Sequence, residues 1–329
     1  MHLEPGRTVL VTGGNGFVGS YIARELALAG HKVVAFGRSP VSAMLARVQA
    51  PGRERITWVQ GDVTDPQALR AACVAHGAAA IVHAATAGAA PARPTLNYAI
   101  DVMGAVHACD AARELGLARV VLISSNAVYG ERRYQPIDER HPTGSVRGAN
   151  AFGHYSAGKQ AMETAGLAFA SRHGVDVVAL RLSSVYGFAM SGDLHIRPFV
   201  EAIATGAEMH RETSGDMIRD FVSVKDCAVA ARLALTAAFV DPPLRVFNVS
   251  YGVLHHARDV VATLRALAPA ARISIGPGMT PAERADSLTR GALCGREAHA
   301  VLGFKAAHDL RAGLADYLVE QRAYAGVPA

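Results

Sequence analysis

Apolar and polar positions follow a regular pattern along the first half of the chain. Short runs rich in Val, Ile and Leu predict strands at residues 8–11, 32–36, 56–59, 80–83, 120–124 and 176–180. Between these runs, apolar residues recur at helical spacing and predict helices at 17–29, 65–76 and 96–115. Strands that alternate with helices form parallel sheets covered on both faces, and such buried strands are apolar throughout. The pattern therefore predicts an α/β fold with a doubly wound parallel sheet.

After residue 181 the pattern becomes less regular, with short helices, Pro and Gly breaks, and few apolar runs, such as 245–249 and 272–275. This change predicts a second, smaller lobe. The run 220–224 has the composition of a strand, and we expect it to return to the region of the main sheet. The lobes are then interleaved: residues 1–183 and about 217–250 form the sheet lobe, and 184–216 and 251–329 form the smaller lobe.

Composition and charge argue against several classes of protein. The chain has 329 residues, half of them hydrophobic, and a net charge of +5 without a run of five basic residues, which argues against a nucleic-acid partner. Its four cysteines are widely spaced and form no metal-binding pattern, so we expect buried thiols in a reducing compartment. The N-terminus does not resemble a signal peptide, and no apolar stretch is long enough to span a bilayer. We expect a cytoplasmic protein without a metal or a membrane partner.

A glycine-rich segment follows the first predicted strand and opens the first predicted helix. It reads Thr12-Gly13-Gly14-Asn15-Gly16-Phe17-Val18-Gly19. Gly13 permits the tight turn, Gly16 lets the backbone approach a pyrophosphate, and Gly19 lets the helix pack close to the strand. Amide groups at the start of a helix favour an anion. The segment therefore predicts a dinucleotide site that includes Gly13, Asn15, Gly16, Phe17, Val18 and Gly19.

The end of the second predicted strand bears on the choice of dinucleotide. It reads Gly37-Arg38-Ser39 and lacks the acid that usually bonds the ribose 2′-hydroxyl in NAD sites. The guanidinium of Arg38 suits a 2′-phosphate. We therefore expect NADP in preference to NAD; the alternative is that Arg38 is a solvated loop residue.

The third and fourth predicted strands add further residues to this site. Asp62 and Val63 follow the third strand, where Asp62 would meet the adenine amino group or, alternatively, cap the next helix. The fourth strand ends at His83-Ala84-Ala85. The two alanines leave room for the dinucleotide beside His83, which we expect to be structural rather than catalytic.

Tyr155, Lys159 and a serine at a strand end form the predicted catalytic set. Tyr155 and Lys159 are four residues apart on a predicted helix, so both project from one face. Ser125 ends the fifth strand, at the carboxyl edge where such sheets bind ligands. A free tyrosine has a pKa near ~10, which a neighbouring ammonium and the positive nicotinamide ring lower. Tyr155 would then take a hydroxyl proton as hydride leaves the adjacent carbon, Lys159 would also hold the nicotinamide ribose, and Ser125 would bond the reacting oxygen.

The chain resembles the extended short-chain dehydrogenase/reductase superfamily, in its NAD-dependent epimerase/dehydratase family. Besides residues 12–19 and 155–159, the resemblance rests on Ser124-Ser125-Asn126-Ala127-Val128-Tyr129-Gly130, Leu180-Arg181-Leu182-Ser183-Ser184-Val185-Tyr186-Gly187 and Arg219-Asp220-Phe221-Val222. It covers most of the chain. It implies a Rossmann-type lobe that binds NAD(P), a C-terminal substrate lobe, and a homodimer formed through two helices of each subunit.

Several positions depart from the sugar-nucleotide members of this family. Ser184 stands where they commonly have an Asn that helps to hold the substrate diphosphate, and Asp101 stands where an Asn is usual. The Asp-Glu pair of the 4,6-dehydratases is Asn126-Ala127 here, which argues against a dehydratase. Arg219, which meets the diphosphate in these enzymes, is retained; alternatively it forms a supporting salt bridge. The expected substrate-binding residues are Asn126, Tyr129, Ser184, Tyr186 and Arg219. The alternative for the two tyrosines is that they pack in the core.

The sequence leaves three functions open. The first is a net dehydrogenase or reductase that acts on a sugar-like or other hydroxy substrate; Ser184, Asp101 and Arg38 favour it slightly over the others. The second is a sugar-nucleotide epimerase, which oxidises a ring carbon transiently with bound NAD; Arg219 favours it. The third is a non-catalytic dinucleotide-sensing protein, against which the intact catalytic set argues.

Overall fold

The computed structural model describes residues 3–88, 93–144, 153–239 and 244–326. The strands in these ranges are β1 (Thr8–Thr12), β2 (Lys32–Gly37), β3 (Ile56–Gln60), β4 (Ala78–His83), β5 (Arg119–Ser125), β6 (Val177–Leu182), β7 (Ser184–Tyr186), β8 (Met209–Arg211), β9 (Ile218–Ser223), β10 (Leu244–Val249), β11 (Leu254–His256) and β12 (Ile273–Ile275). The α-helices are α1 (Phe17–Leu28), α2 (Ala43–Gln49), α3 (Pro66–His76), α4 (Gly104–Leu115), α5 (Gly153–His173), α6 (Arg197–Thr205), α7 (Val224–Thr236), α8 (Ala257–Leu267), α9 (Pro281–Ser287), α10 (Arg296–Leu302) and α11 (Leu310–Ala325). Two short 3₁₀ segments, Ala50–Arg55 and Asn126–Val128, and a π-helical segment, Asn97–Met103, complete the order.

Seven parallel strands form the main sheet, in the order β10-β6-β5-β4-β1-β2-β3. The chain reverses its direction of progress across the sheet at β1, because β2 and β3 lie on one side of it and β4 to β6 lie on the other. Loops that leave neighbouring strands at such a switch point diverge and open a crevice at the carboxyl edge. The predicted fold class, an α/β fold with a doubly wound parallel sheet, is confirmed.

Helices cover the sheet on both faces, and alternate residues of each strand face opposite layers. In β1, Val9 and Val11 belong to one apolar layer, together with residues of α1 and α7. Leu10 belongs to the other layer, with residues of α3, α4 and α5. No helix among the described residues has the length and apolar character needed to cross a membrane.

Two smaller sheets lie outside the main one, in the orders β11-β9-β7 and β12-β8. The predicted strand at 220–224 is present as β9, but it pairs with β7 and β11. β9 is therefore a strand of this smaller sheet and not of the main one. The returning strand is β10, which pairs in parallel with β6. A strand that joins a parallel sheet needs a crossover connection from the preceding strand of that sheet. Here the connection from β6 to β10 includes α7, which lies between β9 and β10 in the chain.

The predicted helix at 96–115 consists of two kinds of helix. Asn97–Met103 is π-helical, and α4 continues from Gly104. A π-helical turn is rare and is often found at functional sites. Here the segment buries Asn97, Ile100 and Asp101 against the interior, so it directs a carboxylate toward the core of the sheet lobe.

Candidate active site

A cavity of about 680 Å³ opens at the carboxyl ends of the central strands. The glycine-rich turn and the ends of β2 and β3 form one part of its wall. The ends of β4 and β5 and the start of α5 form the middle, and residues after β6, in β9 and after α9 form the rest. The predicted residues that line it are Gly13, Asn15, Gly16, Phe17, Val18, Gly19, Arg38, Asp62, Val63, Ala84, Ala85, Ser125, Asn126, Tyr155, Lys159, Ser184 and Arg219.

The glycine-rich turn leaves no room for side chains at several of its positions, among them Gly13 and Gly19. Gly13 has a φ of +66°, and a Cβ on it would lie 2.8 Å from the backbone of Ala85. A Cβ on Gly19 would lie 2.0 Å from the carbonyl oxygen of Gly13. The turn can therefore fold tightly at the start of α1, which lines the cavity at Phe17 and whose positive end suits the pyrophosphate of a dinucleotide.

Arg38 and Asp62 lie along the rim beyond this turn. Arg38 is exposed, and the neighbouring Ser39 carbonyl accepts a hydrogen bond from Asn15 Nδ2 at 3.1 Å, which ties the rim to the glycine-rich turn. Asp62 accepts hydrogen bonds from the amide and hydroxyl of Thr64, each at 2.9 Å. Asp65, not Asp62, caps α3, so the alternative role of Asp62 as the helix cap was wrong.

His83 lies beneath the cavity rather than on its wall. Its Nδ1 is 2.9 Å from the Thr12 hydroxyl, and its ring fills the space that the absent side chain of Gly104 leaves. Burial, reinforced by the charge of Lys159, lowers the pKa of His83 to about 4. The expectation that His83 borders the dinucleotide was therefore wrong, because its side chain points from β4 toward α4. The expectation that His83 has a structural role agrees with these contacts.

Tyr155 and Lys159 project from α5 into the cavity, where β5 ends at Ser125. The Lys159 Nζ lies 5.8 Å from the centroid of the Tyr155 ring. It donates a hydrogen bond to the Ile123 carbonyl at 2.9 Å and lies 2.8 Å from Asp101 Oδ1. Burial disfavours the charged form of Lys159, but Asp101 and Tyr155 outweigh it and raise the pKa of the lysine above its usual value. The ammonium is thus held in its charged form beside the phenol.

Tyr129 and Tyr186 do not line the cavity, so their expected role in substrate binding was wrong. The Tyr129 hydroxyl donates to Asn248 Oδ1 at 2.7 Å, and its ring packs under the guanidinium of Arg181. The Tyr186 hydroxyl donates to the Asp309 carbonyl at 3.4 Å. Each tyrosine is 1% exposed. Both side chains enter the core, which is the packing alternative.

Two arginines face the cavity on the side away from the glycine-rich turn. Arg219 forms an ion pair with Asp286, and Arg290 bonds the same carboxylate through Nε at 3.1 Å. Arg290 also donates to Asn126 Oδ1 at 3.0 Å. Burial and the nearby charge of Arg219 lower the pKa of Arg290 to about 10. Two guanidinium groups thus converge on one side of the cavity, an arrangement that suits a bound anion.

Sequence reasoning missed Arg290 and Asp286. Their spacing of four residues was visible in the chain, but no local pattern placed them opposite Arg219. The supporting-salt-bridge alternative for Arg219 is realised in its contact with Asp286, and the same guanidinium still lines the cavity. Within the described ranges, no group of three His, Cys, Asp or Glu side chains is arranged to hold a metal ion.

Comparisons with known proteins agree with this geometry. The sequence profile of the NAD dependent epimerase/dehydratase family matches residues 9–250. A UDP-glucose 4-epimerase from Corynebacterium glutamicum is 30% identical over 277 residues, which are 78% of this chain and 79% of that protein. MoeE5, solved in complex with UDP-glucuronic acid and NAD, is 27% identical, with a TM-score of 0.77 over 96% of this chain and 99% of that one.

A further solved structure supports the fold alone. It is a UDP-glucose-4-epimerase from Stenotrophomonas maltophila with bound NAD and formylated UDP-arabinopyranose, 23% identical, with a TM-score of 0.82 over 97% of this chain and 99% of that one. The family profile spans most of the sheet lobe, and Ser125, Tyr155 and Lys159 line the same cavity. Both observations lead to the same assignment. The chain belongs to the NAD dependent epimerase/dehydratase family of the extended short-chain dehydrogenase/reductase superfamily and is an NAD(P)-dependent enzyme.

Proposed function

We propose that the protein transfers a hydride between NAD(P) and a secondary alcohol or ketone carbon of a sugar-like substrate that carries an anionic group. The observation that carries this proposal is the presence of Arg219 and Arg290 in the same cavity as Tyr155, Lys159 and Ser125. The catalytic set serves proton transfer at one carbon. The two cations provide an anchor for a charged group of the same molecule.

Each member of the catalytic set has a proposed role. NAD(P), when bound, supplies the hydride acceptor or donor. The phenolic oxygen of Tyr155 takes the proton of the substrate hydroxyl, or returns a proton to a carbonyl oxygen in the reverse direction. Lys159 favours the phenolate by its charge and holds the nicotinamide ribose. Ser125 donates a hydrogen bond to the reacting oxygen.

The cofactor is proposed to lie along the glycine-rich turn and the strand ends beside it. A Cβ on Gly13 would collide with the Ala85 backbone, and a Cβ on Gly19 with the Gly13 carbonyl, so only glycine allows this turn to fold tightly at the start of α1. We assign the cofactor to the lobe of residues 1–183 and about 217–250, and the substrate to residues 184–216 and 251–329. The position of β10 in the main sheet supports this division for the end of the second range, whereas β9, at its start, pairs with β7 and β11. The residues proposed to contact the cofactor are Gly13, Asn15, Gly16, Phe17, Val18, Gly19, Arg38, Asp62, Val63, Ala84, Ala85, Tyr155 and Lys159.

A second candidate is epimerisation of a nucleoside-diphosphate sugar. The same hydride step would be followed by return of the hydride to the other face of the carbon. The doubly cationic Arg219–Arg290 pair favours this reaction, because a diphosphate offers two anionic groups. Ser184 favours the first candidate, since its short hydroxyl lines the cavity where an amide is usual for diphosphate contacts.

Thermal shifts with a small ligand panel test the proposal. NAD and NADP are measured first, and UDP, GDP, dTDP, CDP, sugar phosphates and sugar acids are then added to each. A ligand at 100 times its dissociation constant stabilises a protein by about 2.7 kcal/mol, or several degrees. Further stabilisation by a diphosphate favours the epimerase, and stabilisation by sugar phosphates or acids favours net redox chemistry. The anionic-substrate proposal fails if no anion adds to the effect of the dinucleotide.

Turnover then separates the two reactions. A net dehydrogenase forms NAD(P)H from added NAD(P)⁺, and a reductase consumes added NAD(P)H, in each case in proportion to product and with a matching change in NAD(P)H absorbance. An epimerase converts its sugar, as followed by NMR, without net change in that absorbance. Absence of both signals with every ligand that stabilises the protein would contradict hydride transfer.

Arg38→Ala should weaken NADP binding more than NAD binding. We propose a preference for NADP because no acid follows β2 and the exposed guanidinium of Arg38 stands at the rim. Loss of a charge-assisted contact to the 2′-phosphate costs about 1.5–3 kcal/mol, or roughly tenfold to a hundredfold in Kd. Calorimetric titration measures both constants. The control is Arg47→Ala, which removes an arginine that does not line the cavity and donates to the Ala323 carbonyl. Equal weakening of both dinucleotides would overturn the preference.

We propose a homodimer formed through the Asn97–Met103 segment, α4 and α5. Tyr98, Met103 and Leu167 are apolar side chains on this surface that remain 40–48% exposed. Sedimentation should give about twice the chain mass of 34.4 kDa, and Leu167→Glu should shift the protein toward the monomer, since it places a charge in an apolar interface. A monomeric parent protein would contradict the dimer.

We propose a cytoplasmic location. All four cysteines are free thiols, and Cys73, Cys109 and Cys227 are buried. Burial raises the pKa of Cys73 to about 11 and of Cys109 to about 12, so these thiols stay protonated. Such thiols are typical of reducing compartments.

A further inference from the structure

The glycine-rich turn is supported from behind by one buried side chain. Gln49 is the last residue of α2, is 2% exposed and does not line the cavity. Its Nε2 lies 3.0 Å from the Gly14 carbonyl oxygen, 3.3 Å from Ser20 Oγ and 3.4 Å from Asn15 Oδ1. The two N–H groups of this side-chain amide are thus shared among three oxygens, which belong to the turn and to the first turn of α1.

The contact with Gly14 fixes the orientation of a peptide group. The Gly14 carbonyl also accepts a hydrogen bond from the Ser20 hydroxyl at 3.2 Å, so two donors hold it, and neither of them lines the cavity. In a planar trans peptide the carbonyl and the N–H of the next residue point in opposite directions. The Asn15 N–H is therefore directed away from these donors. Asn15 lines the cavity, and its N–H has no hydrogen-bond partner among the described residues.

The side chain of Asn15 is held at both ends. Its Oδ1 faces the Gln49 amide, and its Nδ2 donates to the Ser39 carbonyl at 3.1 Å. Gln60, on β3, donates to the adjoining carbonyl of Arg38 at 3.4 Å. A chain of hydrogen bonds therefore runs from α2 through the glycine-rich turn to the loop after β2, and Gln49 is its buried end.

The Gln49 amide does more than satisfy a buried backbone group. The Gly14 carbonyl would keep the Ser20 hydroxyl as a partner if residue 49 were apolar. A buried amide is costly unless it is hydrogen-bonded, and an apolar side chain would fill the same space without that cost. The distinct effect of the amide is thus to orient the Gly14–Asn15 peptide and the Asn15 side chain.

We propose that Gln49 is a positioning residue for the dinucleotide, because it holds the Gly14–Asn15 peptide so that the Asn15 N–H is presented to the pyrophosphate. This inference rests on the proposed placement of NAD(P) along the glycine-rich turn. Gln49 contacts neither the cofactor nor the reacting atoms, so its loss lowers the affinity for the dinucleotide and leaves the chemical step unchanged. NAD and NADP share the pyrophosphate, so both are affected equally, in contrast to the effect expected of Arg38.

Calorimetric titration of NAD and of NADP into the protein tests this without any substrate. Gln49→Leu removes the donors of a side chain of similar size. The Kd of each dinucleotide should rise about tenfold, the size expected for one hydrogen bond to a charged group. The kcat at saturating dinucleotide, measured with the substrate found in the ligand panel, should match that of the parent.

Ser42→Ala is the matched control. The Ser42 hydroxyl caps α2 by accepting a hydrogen bond from the Leu45 amide at 3.3 Å. The variant therefore destabilises the helix that carries Gln49 without removing the Gln49 amide. It should lower the melting temperature and leave both Kd values unchanged.

Unchanged Kd values in folded Gln49→Leu overturn the proposal, and so does an equal loss of affinity in Ser42→Ala. A rise confined to NADP also overturns it, because the pyrophosphate is common to both dinucleotides. If Gln49→Leu does not fold, Gln49→Met, with a flexible side chain of similar length, is judged in the same way; failure of both to fold shows a role in stability alone and overturns it.

Failure of this inference is distinguishable from failure of the proposed function. A parent protein that binds neither dinucleotide would contradict the placement of the cofactor, and this inference with it. A parent that binds both, with the expected loss in Gln49→Leu, supports the inference even if the turnover assays contradict hydride transfer.

Discussion

Tyr155→Phe is expected to lower kcat by about 10²–10⁴-fold while leaving NAD(P) binding almost unchanged. The change removes one oxygen from a side chain that borders the cavity, so the loss measures proton transfer rather than packing. Single-turnover kinetics with the substrate found in the ligand panel gives the rate of the chemical step, and calorimetric titration gives the Kd of the dinucleotide.

Tyr98→Phe is a matched control for this prediction. It also removes a phenolic oxygen near α5, where the Tyr98 hydroxyl lies 3.0 Å from His154 Nδ1, but Tyr98 does not line the cavity. Its kcat should stay within about twofold of the parent. Full turnover by Tyr155→Phe would show that another group transfers the proton. A biological effect that survives without any turnover would instead revive the dinucleotide-sensing function.

Arg219→Ala and Arg290→Ala are each expected to raise the KM of the anionic substrate about 30-fold or more. Truncation of one partner in a buried charge pair costs about 2–5 kcal/mol. The two guanidinium groups share Asp286, so their effects should not add, and the double variant should lose less than the sum of the two. Initial rates over a range of substrate concentrations measure the effect, and dinucleotide binding should be retained.

Arg258→Ala provides the comparison for the arginine variants. Arg258 also pairs with a carboxylate in the C-terminal part of the chain, that of Asp216, but it is more than half exposed and does not line the cavity. Its KM should match the parent. If Arg219→Ala lowers the melting temperature and leaves KM unchanged, the arginine serves only as a support, and the anionic group of the substrate must be bound elsewhere.

Local features of the sheet lobe were predictable because each depends on neighbouring residues. The strand β1, the turn at Gly13 and the start of α1 follow one another within twenty residues, and their apolar and glycine positions define them without reference to the rest of the chain. Tyr155 and Lys159 were predictable for the same reason, since four-residue spacing on a helix places two side chains on one face.

Features that depend on distant partners were not predictable. The partners of β9 are β7 and β11, and a strand pattern does not state with which strand it pairs. Arg290 meets Arg219 through Asp286 across the smaller lobe, so composition alone gave no sign of it. His83 was misplaced because the last residue of a strand points to one face or the other according to register, which periodicity does not fix. Tyr129 was misplaced because it follows the 3₁₀ segment Asn126–Val128, and no local pattern states which way that segment directs the next side chain.

The late position of β10 in the chain has a consequence for synthesis on the ribosome. β6 ends at Leu182 and remains the edge of the sheet until Leu244–Val249 has emerged. Until then its unpaired amide and carbonyl groups can pair with another nascent chain. The strands β1 to β6 are therefore complete early, while the edge of β6 stays exposed. Rapid translation of the segment between β6 and β10 shortens the interval in which aggregation competes with folding.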